Sequence, residues 1–172
     1  KLPRKWHLCK RGYLMGLEIE RKFLVDETKW LDASATADRI SIIQGYLLDF
    51  KKHILRVRSQ NNGLVYLTYK GPNRGLTRVE KELRIPKFLG NMLLKLCKST
   101  IVKTRTLIPV GSGLCWEVDD FSNLTHPLLL AEIELPYEHY PLDKPDWLGE
   151  EVSTDPYYYN SNLINKVFKT WK

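Results

Sequence analysis

Ionisable and hydroxyl side chains recur one position apart along most of this chain. Seven short stretches carry them, namely Glu18, Glu20 and Lys22; Arg56 and Arg58; Thr68 and Lys70; Glu80 and Glu82; Lys103 and Arg105; Glu117 and Asp119; Glu132 and Glu134. An eighth carries Gln44 and Tyr46. In a β-strand, residues i and i+2 point to the same face, about 6.7 Å apart. The alternation therefore predicts strands with one charged face and one apolar face.

Turn-forming residues divide these stretches into eight predicted strands, at 17–25, 39–48, 53–60, 64–70, 76–85, 101–110, 113–121 and 128–137. Asn61-Asn62-Gly63 is a strong signal for a tight hairpin. Helices are predicted within 26–38 and at 87–98, 147–152 and 157–171. Because most connections are of hairpin length, the order favours a mainly β fold: a closed eight-stranded antiparallel barrel with helices packed outside.

Length and composition are those of a single soluble globular domain. The chain has 172 residues, of which 43% are hydrophobic and 27% charged. Its net charge is +7, but residues 1–14 contribute five of these charges and no acid. The rest is nearly balanced, which argues against a nucleic-acid partner. We expect residues 1–14 to be an N-terminal extension outside the domain, which then spans 15–172.

Hydropathy and cysteine usage bear on the compartment. No run approaches the roughly 18 apolar residues of a membrane span. The three cysteines, Cys9, Cys97 and Cys115, have no metal-ligand spacing, and their odd number argues against a disulfide framework. Buried thiols are expected at Cys97 and Cys115. These features predict a cytoplasmic protein without a membrane partner.

A barrel closed around the charged faces would enclose a charged lumen. Burying so many charges without partners would cost several kcal/mol per ion, so the lumen must be wet, internally paired or filled by a charged ligand. Carboxylates without His or Cys suit Mg²⁺ or Mn²⁺. Paired Arg and Lys suit an oxyanion with several separated charges. A metal beside a cationic cradle is typical of phosphoryl transfer.

The motif Glu18-Ile19-Glu20-Arg21-Lys22 resembles the Glu-x-Glu-x-Lys signature of the CYTH domain, the family of triphosphate tunnel metalloenzymes. The other charged pairs follow in the family's order, so that the resemblance covers essentially all of 15–170. It implies the triphosphate tunnel fold and metal-dependent hydrolysis of a triphosphate. One departure is Pro156-Tyr157-Tyr158, where relatives often carry an Arg.

The charge pattern and the resemblance together assign the site residues. Metal ligands are expected at Glu18, Glu20, Asp119, Glu132 and Glu134. Phosphate-binding cations are expected at Lys22, Arg56, Arg58, Lys70, Lys103 and Arg105, with Glu20 and Lys22 as the catalytic pair. Glu80, Glu82 and Glu117 are expected to support these cations.

Several functions share these groups. Hydrolysis of inorganic tripolyphosphate is the first expectation, because no segment resembles a nucleobase pocket. Thiamine or nucleoside triphosphatase and class IV adenylate cyclase activities are the enzymatic alternatives. A non-catalytic module that binds polyphosphate or an organophosphate is the alternative of another class, and a homodimer is left open as the assembly.

Overall fold

The computed structural model describes residues 15–110, 113–121 and 128–163, and the predicted extension at 1–14 lies outside them. In these ranges the order is β1 (Met15–Val25), α1 (Glu27–Ala33), β2 (Asp38–Phe50), β3 (His53–Gln60), β4 (Val65–Lys70), β5 (Thr77–Arg84), α2 (Lys87–Leu96), β6 (Thr100–Pro109), β7 (Cys115–Asp120), β8 (Leu129–Glu134) and β9 (Leu148–Glu151). A 3₁₀ turn follows at Pro156–Tyr158. No helix in this part of the chain is long and apolar enough to cross a membrane.

Eight of the strands close into the predicted antiparallel barrel, in the order β5-β4-β3-β2-β6-β7-β8-β1. Strand β1 forms the seam. Its first half pairs with β5 through Met15 to Ile19, and its second half pairs with β8 through Glu20 to Leu24. The prediction of a closed eight-stranded barrel is confirmed.

The ninth strand corrects a sequence prediction. Residues 147–152 are expected to be helical, but β9 instead runs antiparallel to the end of β1. The Val152 amide donates to the carbonyl of Lys22, and Arg21 pairs with Glu151. These contacts with β1, which is distant in sequence, stabilise a strand where the local sequence predicts a helix. Of the helix predicted at 157–171, the described part contains the 3₁₀ turn and helical backbone at 160–163.

The two faces of the barrel differ in polarity, as the alternation predicts. Outward residues Phe23, Trp116 and Ile133 are fully buried in an apolar cluster beneath α1. Helix α1 begins at the N-cap Asp26, whose side chain accepts from the amides of Thr28 and Lys29. The main apolar core therefore lies outside this wall of the barrel, and the lumen is left for the charged face.

Helix α2 covers the outside of β2, β3 and β4. The sequence predicts a packing face of Phe88, Met92, Leu93, Leu96 and Cys97. In the structure Phe88, Met92 and Leu96 are exposed, whereas Leu93 and Cys97 join the apolar cluster together with Leu89 and Leu94. The helix therefore presents a different face from the predicted one, and its buried residue is Gly90, which packs against Val65 of β4.

Gly90 permits this close approach, and its substitution gives a stability prediction. A Cβ added there would lie 2.3 Å from Val65 Cγ1 and 3.3 Å from Val65 Cβ. We expect Gly90→Ala to destabilise the fold by about 1–3 kcal/mol, because overpacking outweighs the roughly 1 kcal/mol by which Ala favours a helix over Gly. Urea unfolding would measure this, with Asn91→Ala at an exposed position of the same helix as the control. Equal midpoints for both variants would contradict the packing argument.

The cysteines differ from one another. Cys97 is a free, partly buried thiol, as the sequence predicts. Cys115 is disulfide-bonded, so the prediction of a free thiol is wrong there. The cysteine-based argument for a cytoplasmic location loses its support at this position.

Candidate functional site

A cavity of about 350 Å³ lies within the barrel and extends to the β2–β3 turn, where Asp49 and Lys52 line it. Its charged lining includes seven cations, namely Lys22, Lys52, Arg56, Arg58, Lys70, Arg78 and Arg105. Three carboxylates share the lining, Glu20, Asp49 and Glu132. The excess of positive charge makes the cavity suited to a polyanion.

One wall of the cavity is an ion-pair network on β1, β6, β7 and β8. Lys22 Nζ lies 2.6 Å from Glu132 Oε1, and Arg105 Nη2 lies 3.1 Å from Glu132 Oε2. Arg105 and Lys103 both bind Asp119, which is fully buried. Burial opposes charge on Lys22 and Glu132 alike, but their mutual attraction raises the pKa of Lys22 and holds the pKa of Glu132 well below its usual value. Both groups are therefore charged at neutral pH.

The opposite wall contains a second network, formed where β5 closes onto β1. Lys70 Nζ lies 3.0 Å from a Glu18 oxygen and 2.8 Å from Glu80 Oε2. Arg78 Nε donates to Glu18 Oε2 at 2.6 Å. Glu18 thus bridges two cations that reach it from β4 and β5.

Strand β3 supplies two inward arginines. Arg58 Nη2 donates to Glu82 Oε2 at 2.9 Å, and Thr68 Oγ1 binds the same oxygen. Arg56 is 6% exposed, and its Nε and Nη2 atoms have no hydrogen-bond acceptor among the described residues. The carboxylate paired with it, on Glu80, is 4.0 Å away. A buried guanidinium with unused donors on a cavity wall is a ready site for an oxyanion.

Glu20 is less well compensated than the neighbouring buried carboxylate Glu132. Its ion pair with Lys22 is 3.5 Å long, and it accepts no hydrogen bond from the described residues. Burial raises the pKa of Glu20, and the neighbouring Glu132 carboxylate raises it further. A cation placed beside these two carboxylates would favour the ionised form of Glu20.

Glu20 and Glu132 provide some of the ligands that a magnesium or manganese site requires. No three His, Cys, Asp or Glu side chains in the described ranges are arranged to hold a metal ion. Mg²⁺, however, is usually bound by one or two carboxylates together with substrate phosphates and water. Glu20 and Glu132 therefore fit a metal that is completed by the bound phosphate.

The remaining predicted site residues differ in how far they lie from the cavity. Glu18, Lys103 and Asp119 are buried in the wall and do not line the cavity. Glu80, Glu82 and Glu117 form ion pairs with Lys70, Arg58 and Arg105, respectively. Glu134 faces Glu20 across the β1–β8 ladder but is exposed at the end of β8.

Arg78 and Tyr46 are among the cavity residues that the sequence analysis did not assign to the site. Arg78 continues the i, i+2 series of Glu80 and Glu82, a signal that could have placed it on their face of β5 but not over the lumen. Tyr46 is predicted to be a packing residue, but it lines the cavity and its hydroxyl accepts from Gln44 Nε2 at 2.6 Å. Burial raises the pKa of Tyr46 to about 12, so the hydroxyl keeps a proton that it can donate to a phosphate oxygen.

Two known proteins that are similar to this chain are inorganic triphosphatases. One from Acetivibrio thermocellus is 39% identical over 159 residues, which cover 92% of this chain and 99% of that relative. Another, from Nitrosomonas europaea, is 35% identical over 154 residues, covering 87% and 98%.

Solved structures share the fold. The crystal structure of the inorganic triphosphatase NE1496 is 30% identical, with a TM-score of 0.57 over 86% of this chain and 93% of that one. A putative adenylate cyclase from Bacillus halodurans is 18% identical, with a TM-score of 0.57 over 73% and 84%, a likeness of fold alone. The CYTH domain family matches residues 16–168. Together with the ordered charged motifs inside the barrel, this match shows that the chain belongs to the CYTH family.

Proposed function

We propose that this protein is a phosphoanhydride hydrolase that cleaves a triphosphate inside the barrel, with inorganic tripolyphosphate as its substrate. The observation that carries the proposal is the cavity lining, in which seven cations lie in the same cavity as the carboxylates Glu20 and Glu132. Relatives that align over almost their whole length are inorganic triphosphatases, which supports the same reaction.

The cations bind and orient the substrate. Arg56 offers unused donors, and Lys22, Arg58, Lys70 and Arg105 present charge from four different strands. Charges that converge from several strands match a chain of phosphates better than a single phosphate group. Lys103 is placed behind Arg105 and shares Asp119 with it, so its contribution is to hold the wall in position.

Glu20 and Glu132 are the proposed ligands of a divalent cation, with Glu18, Asp119 and Glu134 as the further ligands expected from the sequence. The cation is Mg²⁺ or Mn²⁺, because the ligand atoms are carboxylate oxygens. When bound, it supplies charge neutralisation to phosphate oxygens and can lower the pKa of a water molecule.

The chain's own groups supply the electrostatics of the reaction. Water attacks the terminal phosphorus, the bond to the bridging oxygen breaks, and tripolyphosphate yields orthophosphate and pyrophosphate. Lys22 and Arg105 are held as charged donors by Glu132 and can stabilise negative charge that develops on the phosphate oxygens. The Tyr46 hydroxyl supplies a neutral donor to the same cavity.

The test is phosphate release from tripolyphosphate by the purified protein, with Mg²⁺, with Mn²⁺ and with EDTA. We expect orthophosphate to be released with either metal and not in EDTA. The two neighbouring carboxylates would repel the phosphate oxygens unless a metal cation lies between them. ATP and thiamine triphosphate, assayed in parallel, would rank the substrates.

Other outcomes would point elsewhere. Tight binding of tripolyphosphate without metal-dependent release of orthophosphate would contradict the enzymatic proposal and support a non-catalytic binding module. Pyrophosphate together with cyclic nucleotide from ATP would move the protein to the cyclase alternative. The cytoplasmic location stays a prediction, which cell fractionation would check.

A further inference from the structure

The turn between β2 and β3 has an unfavourable backbone conformation. Lys51 and Lys52 have φ values of +48° and +68°, and they are the non-glycine residues with positive φ in the described ranges. They form the two-residue loop between Phe50 and His53, which face each other across the hairpin. A type I′ turn requires positive φ at both loop positions, which Asn and Gly adopt far more easily than Lys. Two lysines here cost conformational free energy, and backbone strain of this kind clusters at functional sites.

The two lysines have different surroundings. Lys52 lines the cavity beside Ile54 and Asp49 of its own hairpin, on the same cavity as Asn73 of the β4–β5 connection. Lys51 does not line the cavity, and its Nζ lies 5.3 Å from the centroid of the Phe50 ring. The turn therefore places Lys52, and not the adjacent Lys51, among the residues that line the cavity, and both side chains are exposed.

Lys52 also differs from the deeper cations. Lys22, Lys70 and Arg105 are each matched by carboxylates within about 3 Å. Lys52 makes no ion pair with any residue that the structure describes, although Asp49 shares its hairpin. An ammonium group on the rim of a polyanion cavity, without a fixed carboxylate partner, can contact an incoming phosphate directly.

We infer that Lys52 is a substrate-binding residue at the rim of the cavity, where it contacts the phosphate of the triphosphate nearest the opening. The inference rests on the proposed function. The sequence alone favours an ordinary charged turn for Lys51-Lys52-His53, and the structure separates Lys52 from its neighbour. Lys52 would contact the bound triphosphate at a phosphate distant from the Glu20–Glu132 pair. Loss of Lys52 should therefore raise the KM more than it lowers kcat.

The test compares Lys52→Asn with Lys51→Asn. Each substitution removes one positive charge from the same turn and introduces a residue that tolerates positive φ, so neither should lower the Tm. We expect Lys52→Asn to raise the KM for tripolyphosphate about three- to tenfold, as for loss of one charged contact, with kcat within about twofold. Lys51→Asn should leave both constants within about twofold of wild type. Lys52→Arg should restore the KM.

Ionic strength gives a second readout. The fall of kcat/KM with added NaCl should be shallower in Lys52→Asn than in Lys51→Asn, since a phosphate contact is lost only in the first. Equal KM values and equal salt dependence for the two Asn variants, in an enzyme whose wild type is active, would overturn the inference and leave the proposed function intact. An inactive wild type would end the hydrolase proposal, and calorimetric binding of tripolyphosphate to the same variants would then decide whether Lys52 contacts it. Absence of any binding would overturn both.

Discussion

Glu20→Gln should lower kcat/KM for tripolyphosphate by about a thousandfold, or about 4 kcal/mol at roughly 1.4 kcal/mol per decade. Glutamine keeps the shape of the side chain but removes the charge that we assign to the metal. Phosphate release measured across a range of Mg²⁺ concentrations would show the loss, with the largest deficit at limiting metal.

The fold should tolerate this change. Glu20 accepts no hydrogen bond from the described residues, and Lys22 keeps its 2.6 Å contact with Glu132. Removing the Glu20 charge also relieves its repulsion with Glu132. The Tm should therefore be unchanged or slightly raised.

A matched control is Glu151→Gln. Glu151 lies on β9 outside the cavity and pairs with Arg21. This variant should keep wild-type kinetics and the wild-type Mg²⁺ requirement. Full activity of Glu20→Gln at limiting Mg²⁺ would remove Glu20 from the metal site.

The residues that face the barrel interior could be predicted from the sequence, because the strand period and the distribution of charge agreed. A period of two indicates a strand, and charge on one face at each strand indicates an enclosed polar space. Hairpin-length connections then left a barrel as the arrangement that brings the charged faces together, which the pairing of β1 with β5 completes.

Features that depend on distant pairing could not be predicted in the same way. Arg78, Glu80, Glu82 and Arg84 share one face of β5, and sequence alone did not tell which end lies over the lumen. The register of Arg78 opposite Glu18 decides it, so Arg78 lines the cavity and Arg84 is exposed. Glu134 is likewise at the exposed end of its strand. Strand β9 has only four residues, too few for a period of two to stand out.

Arg56→Met should separate function from stability most clearly. We expect kcat/KM for tripolyphosphate to fall by about a thousandfold, because a guanidinium can make two charge-assisted hydrogen bonds to phosphate, each worth about 1.5–3 kcal/mol. Arg56→Lys should recover part of this loss, since it restores the charge without the paired donors.

The same variant should be more stable than the wild type without substrate. The buried Nε and Nη2 atoms of Arg56 have no hydrogen-bond acceptor in the described ranges, and unsatisfied buried donors cost about 1–3 kcal/mol. Methionine fills similar space without a charge, and Glu80 keeps Lys70 at 2.8 Å. Urea unfolding in EDTA should therefore show a midpoint above that of the wild type.

The shift in Tm on adding substrate gives a further measure of the role of Arg56. Tripolyphosphate with metal should raise the Tm of the wild type, because a ligand that binds only the folded state stabilises it by mass action. That shift should nearly vanish in Arg56→Met and persist in Arg39→Met, which removes an exposed arginine from the same barrel. A variant that is less stable than the wild type yet retains its kinetics would make Arg56 a structural residue. A more stable and inactive variant would show that the guanidinium with its unused donors is maintained for the substrate, at a cost to the fold.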